Sequence, residues 1–300
     1  MAQFLPGVPV SLTDSDSDLA NSTGIPVRRV LGLNAGPMTG PGTNSYLIGR
    51  HRLALIDPGP VNKQQIDNFM QAIGEYSLEW ILVTHTHGDH SPAAVELQRL
   101  TGAKLIGMVA PQCSNQDQSF TPDRVYKHGE VLDCGEFSIE IIHTPGHVSN
   151  HFCYLLKEQG MLFTGDHILQ GTTSVILPPD GDMAAYIDSL QALKNYPLKR
   201  LAPGHGEVME NPLAEIDKLL RHRQMREQKI VSKLRMLTRE ESNVTELKAS
   251  GIELDVLVLS VYDDVAASLL PWAKKTLLAH LIKLQTEKTV VETNGRWYLL

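Results

Sequence analysis

The apolar run Trp80-Ile81-Leu82-Val83-Thr84 passes without a break into His85-Thr86-His87-Gly88-Asp89-His90, and this junction constrains the chain more than any other segment. An apolar burst of strand length bounded by polar residues reads as a strand inside a sheet whose two faces are both covered. The polar loop behind it has no place in that core and must leave the sheet at the strand's end. Neighbouring segments have the same character. Tyr46 to Gly49 and Leu53 to Asp57 read as adjacent strands, the second stopped by Asp57-Pro58-Gly59. Val61 to Ile73 has helical spacing, and Ser91 and Pro92 suit the N-cap and first position of a helix over Ala93 to Leu100. Further strands are expected at Lys104 to Val109, Ser138 to Ile142, His151 to Leu156, Met161 to Thr164 and Lys199 to Ala202. Strands interspersed with helices predict an α/β domain with helices over its sheet faces.

After residue 211 the pattern changes. Leu213 to Leu237 is a long basic helix, Val244 to Ala249 starts a second, and Trp272 to Thr286 forms a third. The chain closes on Asn294-Gly295 between two apolar runs, a strong hairpin signal. Three helices and a hairpin predict a small C-terminal winged-helix-like domain. The expected organisation is an N-terminal extension over 1–27, the α/β domain over 28–211 and the helical domain over 212–300.

With 300 residues and 42% hydrophobic content, the chain can bury a full core without disulfides or a structural metal, and disordered and fibrous classes are excluded. Three cysteines, Cys113, Cys134 and Cys153, are too few for a disulfide framework and predict a reducing compartment. The N-terminus lacks a basic, apolar leader pattern, and no run of about 18 apolar residues occurs. A cytoplasmic protein with no membrane partner is therefore expected. The net charge of −7 argues mildly against a polyanionic partner, but it is split, +3 from Asp217 onward and −10 before it. Net charge alone therefore excludes no nucleic acid.

Four ligand-type side chains within six residues, His85, His87, Asp89 and His90, follow the central strand. In an extended loop His85 and His87 point the same way, with Asp89 and His90 one turn further on, which suits two metals better than one. Three other strand ends repeat the design of an apolar strand, a glycine turn and a ligand-type residue: Thr144-Pro145-Gly146-His147, Thr164-Gly165-Asp166 and Pro203-Gly204-His205. Imidazole and carboxylate without thiolate suit zinc, with iron or manganese as alternatives, and favour an open catalytic site over a closed structural one. Two cations sharing a hydroxide of lowered pKa would supply the nucleophile, so no Ser or Cys nucleophile is required, and no G-x-S-x-G elbow occurs. Asp89 is the expected catalytic residue, binding metal and orienting the hydroxide or taking its proton. Asp57 is a candidate to hold a ligand imidazole from behind, and equally a plain turn residue. His143 is expected in a supporting role and His151 as a substrate contact. His167 is expected to face away from Asp166, and His51, His128, His222 and His280 are surface or packing residues.

The pattern H-x-H-x-D-H followed by His147, Asp166 and His205 resembles the metallo-β-lactamase superfamily over roughly residues 28 to 210. The resemblance implies an αβ/βα sandwich with the site at one edge. It also implies two Zn²⁺ per chain, one held by His85, His87 and His147, the other by Asp89, His90 and His205, with Asp166 bridging. Gly42-Thr43-Asn44-Ser45-Tyr46-Leu47-Ile48-Gly49, with the winged-helix-like segment, resembles the beta-lactamase-like protein 2 subgroup. An aspartate at position 166 sets the chain apart from β-lactam hydrolases proper. The large insertion of messenger-RNA end-processing nucleases and the basic arm of tRNA 3′-processing enzymes have no counterpart. Glyoxalase-II-like enzymes share the ligands but not the final hairpin. The reading is a zinc-dependent metallo-hydrolase. Its expected substrate is single-stranded RNA or, alternatively, a small ester or thioester; a non-catalytic winged-helix binding protein with a vestigial site is a third reading. The C-terminal domain is expected to line the substrate groove, buttress the hydrolase domain or form a homodimer.

Overall fold

Alternate residues of the central strands enter two different cores, which explains why successive positions such as Leu53 to Ile56 and Trp80 to Leu82 are all apolar. In the computed structural model, which describes residues 9–12, 24–113, 115–241 and 251–300, β1 (Pro9–Ser11), β2 (Val27–Leu31), β3 (Asn44–Ile48), β4 (Arg52–Ile56), β5 (Ser77–Leu82) and β6 (Lys104–Ile106) form a six-stranded sheet in that order. From β3, β4 and β5, the residues Tyr46, Ile48, Ala54, Ile56, Trp80 and Leu82 face a second sheet. Leu47, Leu53, Leu55 and Ile81 pack on the other side with Ile66 and Phe69 of α1 (Lys63–Ile73) and Leu97 of α2 (Ala93–Thr101). The second sheet has the order β11-β10-β9-β8-β7, from β7 (Val131–Asp133), β8 (Ser138–His143), β9 (Phe152–Leu156), β10 (Met161–Gly165) and β11 (Arg200–Pro203). Its Ile139, Ile141, Phe152, Tyr154 and Phe163 close the core between the sheets, where the Tyr46 and Phe163 rings lie 5.0 Å apart. This is the αβ/βα sandwich.

Most strand pairs are antiparallel, but β4, β5 and β6 run parallel, as do β10 and β11. The crossovers that parallel strands require are supplied by α1 between β4 and β5 and by α2 between β5 and β6. Parallel pairing places the C-terminal ends of β4 and β5 side by side, with Asp57 beyond one and Thr84-His85 beyond the other. The same rule places Asp166 and His205 together past β10 and β11.

By contacts the chain divides into two units, residues 1–145, 149–174 and 194–213 in the first, and 146–148, 175–193 and 214–300 in the second. The second unit includes α3 (Met183–Leu193). The second unit carries most of α4 (Pro212–Glu241), then α5 (Leu254–Val261), α6 (Leu270–Thr286) and a small sheet in the order β12-β14-β13, from β12 (Ile252–Glu253), β13 (Val290–Thr293) and β14 (Arg296–Leu299). Ile230, Leu234, Leu257, Val261, Leu277, Leu281 and Trp297 form its core. This is a winged helix, and Asn294 and Gly295 both take positive φ, the geometry of a tight hairpin turn. The expected helix start at Val244 to Ala249 lies outside the described residues. α5 was not expected from the sequence: LDVLVLSV is rich in β-branched valine, and packing against α6 overrides its weak helical preference.

Phe163→Ala would open a cavity between the sheets. We expect a loss of about 3–5 kcal/mol, read as a lower urea midpoint with an unchanged m-value.

Candidate metal centre

Asp57 takes φ 49°, a left-handed conformation that aspartate tolerates better than most residues. Its amide donates to the Leu82 carbonyl (2.9 Å) and its carbonyl accepts from the Ser45 hydroxyl (2.5 Å), which secure this turn to both neighbouring strands. The carboxylate, in a residue only 1% exposed, then faces the end of β5. Oδ1 accepts from the Thr84 amide (2.7 Å), and Oδ2 accepts from the Thr84 hydroxyl (2.7 Å) and from His90 Nδ1 (2.9 Å). The Thr84 hydroxyl in turn accepts from His85 Nδ1 (3.0 Å).

Each imidazole is set in the same way, by a protein group on one nitrogen. With Nδ1 of His85 and His90 donating, Nε2 is the nitrogen left to meet a cation. His205 Nδ1 faces the Gly42 carbonyl at 3.3 Å, and His147 Nδ1 donates to the Val175 carbonyl at 2.6 Å. His87 differs: its Nε2 meets the Asn115 side-chain amide at 3.2 Å, and its Nδ1 lies 3.0 Å from His85 Nε2. A second set of bonds stitches the loop down, with Asn150 donating to the Thr86 hydroxyl (2.7 Å) and that hydroxyl donating to Gln116 (2.6 Å).

The seven side chains named from the sequence fall into three overlapping groups. Ligand atoms of His85, His87 and His147, of His85, His90 and Asp166, and of Asp89, His90 and His205 lie within 4.8 Å of one another in each group. His90 Nε2 is 3.3 Å from Asp166 Oδ1 and 3.7 Å from Asp89 Oδ2, and His205 Nε2 is 3.2 Å from Asp89 Oδ2 and 3.5 Å from Asp166 Oδ1. Two glycines permit this density. A Cβ on Gly204 would lie 2.8 Å from Asp166 Oδ1, and one on Gly165 would lie 2.5 Å from the Thr84 hydroxyl oxygen.

The donor set fits divalent cations. His90 Nε2 is buried and makes no hydrogen bond, yet it points at carboxylate oxygens, an arrangement that requires a proton or a cation between them. Burial opposes a charge on His90, but the carboxylates of Asp89, Asp166 and Asp57 outweigh it and hold the imidazole well above its ordinary range. Burial likewise opposes a charge on His205, and Asp166 and Asp89 raise it all the same. Burial pushes the Asp89 carboxyl up, while His90 and His205 outweigh that and draw it down to about 2.

Two expected roles are corrected. His151 is fully buried, bonded through Nδ1 to the Thr144 hydroxyl (2.9 Å) and stacked at 5.2 Å on His85, so it has no surface to offer a substrate. His143 touches the Ser149 carbonyl (2.9 Å) and the Phe152 ring instead of a ligand. His167 lies outside all three groups. Asp57 proves to be more than a turn residue, since it holds His90 directly and His85 through Thr84. Thr84 and Asn115 were missed by the sequence reading. Thr84 left one signal, a hydroxyl at the end of an otherwise apolar strand; Asn115 left none, because it comes from a loop remote in sequence.

Residues 38–205 match the family described as the Metallo-beta-lactamase superfamily. The chain belongs to this superfamily. Residues 254–297 match the Beta-lactamase associated winged helix domain. Among similar proteins, the Beta-lactamase-like protein 2 homolog of Caenorhabditis elegans is 29% identical, over 88% of this chain and 83% of its own. The Atrochrysone carboxyl ACP thioesterase of Aspergillus fumigatus is 31% identical, over 77% of this chain and 72% of its own. The crystal structure of a metallo-beta-lactamase family protein from Thermus thermophilus superposes with a TM-score of 0.72 at 18% identity, covering 91% of this chain and 98% of that one. Among the described residues no helix is long and apolar enough to cross a membrane.

Asp57→Asn keeps the side-chain shape but faces an amide toward groups that donate. We expect metal affinity to fall about 10–100-fold with the fold retained, measured by chelator competition alongside circular dichroism. A metal must also displace the protons that the carboxylates hold on His90 and His205. Because both imidazoles are raised, this competition extends above the ordinary histidine range and affinity declines as pH falls. Calorimetry in buffers of different ionisation enthalpy should detect proton release on metal uptake by the metal-free chain; uptake without release would contradict this protonation scheme.

Proposed function

We propose that this chain is a dinuclear zinc hydrolase acting on an acyl thioester, with His85, His87, Asp89, His90, His147, Asp166 and His205 as the ligands. The supporting observation for hydrolysis is the convergence of seven nitrogen and oxygen donors, with no thiolate, in three overlapping groups. The thioester is favoured by the 31% identity to a carboxyl ACP thioesterase across 72% of that enzyme. When bound, two divalent cations bring the pKa of a water toward neutrality and polarise the attacked carbonyl.

The chain's own residues do the remaining work. Asp89 is the most accessible member of the Asp89, His90, Asp166 and His205 cluster, its side chain 29% exposed against 14% for Asp166 and 0% for His90. Its low pKa keeps it ionised at neutral pH. It therefore accepts a hydrogen bond from the attacking water and orients it, while His90 and His205, locked from behind by Asp57 and the Gly42 carbonyl, hold their nitrogens in place. A cytoplasmic location rests on the small, odd number of cysteines, three in all.

The test is a hydrolysis panel on protein purified without chelator. Elemental analysis should find about two metals per chain, predominantly zinc. Acyl-thioester turnover, followed by thiol release, should be abolished by chelator and restored by Zn²⁺. His87→Ala should lower kcat/KM by at least about a hundredfold, since loss of a ligand must exceed the effect of losing the groups behind it. Cleavage of single-stranded RNA without thioester turnover would replace this reading with a phosphodiesterase.

A further inference from the structure

The segment Gly42-Thr43-Asn44, which starts β3, bears no ligand, yet its polar groups turn toward two of them. The Asn44 backbone amide donates to the Gly204 carbonyl (2.7 Å), and its side-chain Nδ2 donates to the Pro203 (3.0 Å) and Gly206 (2.7 Å) carbonyls. Three carbonyls on both sides of His205 are thus held by one residue, itself 1% exposed. Tyr46 adds a fourth bond from the same strand, its hydroxyl donating to the Pro203 carbonyl (2.7 Å). One residue before Asn44, the Thr43 hydroxyl donates to the Asp89 carbonyl (2.9 Å). Asn34 fixes that hydroxyl's direction, donating to it (2.8 Å) and accepting the Thr43 amide (3.0 Å). At Gly42, whose carbonyl faces His205 Nδ1, a Cβ would come within 2.2 Å of the Gly32 carbonyl oxygen, so no side chain is tolerated there.

We propose that Gly42-Thr43-Asn44 is the positioning element for the Asp89–His205 half of the metal centre, setting the separation of those two side chains through the backbones that carry them. This rests on the reading of Asp89 and His205 as ligands. The supports described for His85, His87 and His147 come from Thr84, Asn115 and Val175 instead, so the effect is selective for one half. The chemistry demands these residue types. Aspartate at position 44 would aim a carboxylate oxygen at two carbonyls, and valine at 43 would leave the Asp89 carbonyl and Asn34 without their buried partner.

The experiment titrates the metal-free full-length protein with cobalt(II) alone, following the visible absorbance of the two equivalents, with chelator competition for each. Asn44→Asp and Thr43→Val should bind the first equivalent as the wild type does and the second about tenfold or more weakly. Thr43→Ser, which keeps the hydroxyl, should match the wild type. Circular dichroism and urea unfolding of the metal-free forms report on folding, and if Asn44→Asp does not fold, the Thr43 pair carries the test. Two equivalents bound with wild-type affinity by the variants, or both weakened equally, would overturn the proposal. A wild type that binds no cobalt would overturn the ligand reading beneath it, an outcome distinct from either.

Discussion

A single buried carboxylate, that of Asp57, ties the metal loop to the sandwich. Taking it out of water is costly unless its oxygens find donors, and here there are three: the Thr84 amide, the Thr84 hydroxyl and His90 Nδ1. Hydrogen bonds to a charged group contribute about 1.5–3 kcal/mol each, enough in sum to offset both the burial and the left-handed backbone that aims the side chain. The same contacts determine which nitrogen His90 and His85 present, so the arrangement that satisfies a buried acid also prepares two imidazoles for a cation. Removal of Asp57 would loosen both together.

That carboxylate reaches Thr84 only because β4 and β5 are parallel and end with Ile56 opposite Leu82. Parallel pairs leave their C-terminal ends at one edge, and polar residues there escape the core without leaving buried groups unsatisfied. The second sheet repeats the device with β10 and β11, which deliver Asp166 and His205. The strongly apolar interior between the sheets, with Tyr46, Phe163 and Tyr154 fully buried, gives these ends a rigid base. Precision at the edge is therefore a product of packing some distance away, together with backbone clamps such as Asn44.

The seven side chains that cluster could be picked out because each sits next to a local signal, an apolar strand ending in a turn, and because their residue types are rare in such places. The winged helix was legible for a similar reason, since Asn294-Gly295 between apolar runs admits few other conformations. His151 was misread because its neighbours, a turn and His147, look the same whether a histidine faces cleft or core; only the stacked ring of His85 and the Thr144 hydroxyl place it inside. His143 was misread likewise, its partner being the Ser149 carbonyl. Asn115 and Asn44 act on atoms 28 and 162 residues away at His87 and Gly206, and nothing local announces such a partner.

What the amino-acid order determined alone was the chemistry of the donors and the periodicity that makes strands and helices, both properties of residues and their near neighbours. Tertiary structure alone decided which nitrogen of each imidazole meets a protein group, which carboxylate faces the imidazoles from behind and which stands in the cluster with them, and which histidine is sealed in the core. Those outcomes depend on hydrogen bonds and burial between segments far apart in the chain, and such contacts exist only once the two sheets have closed on each other.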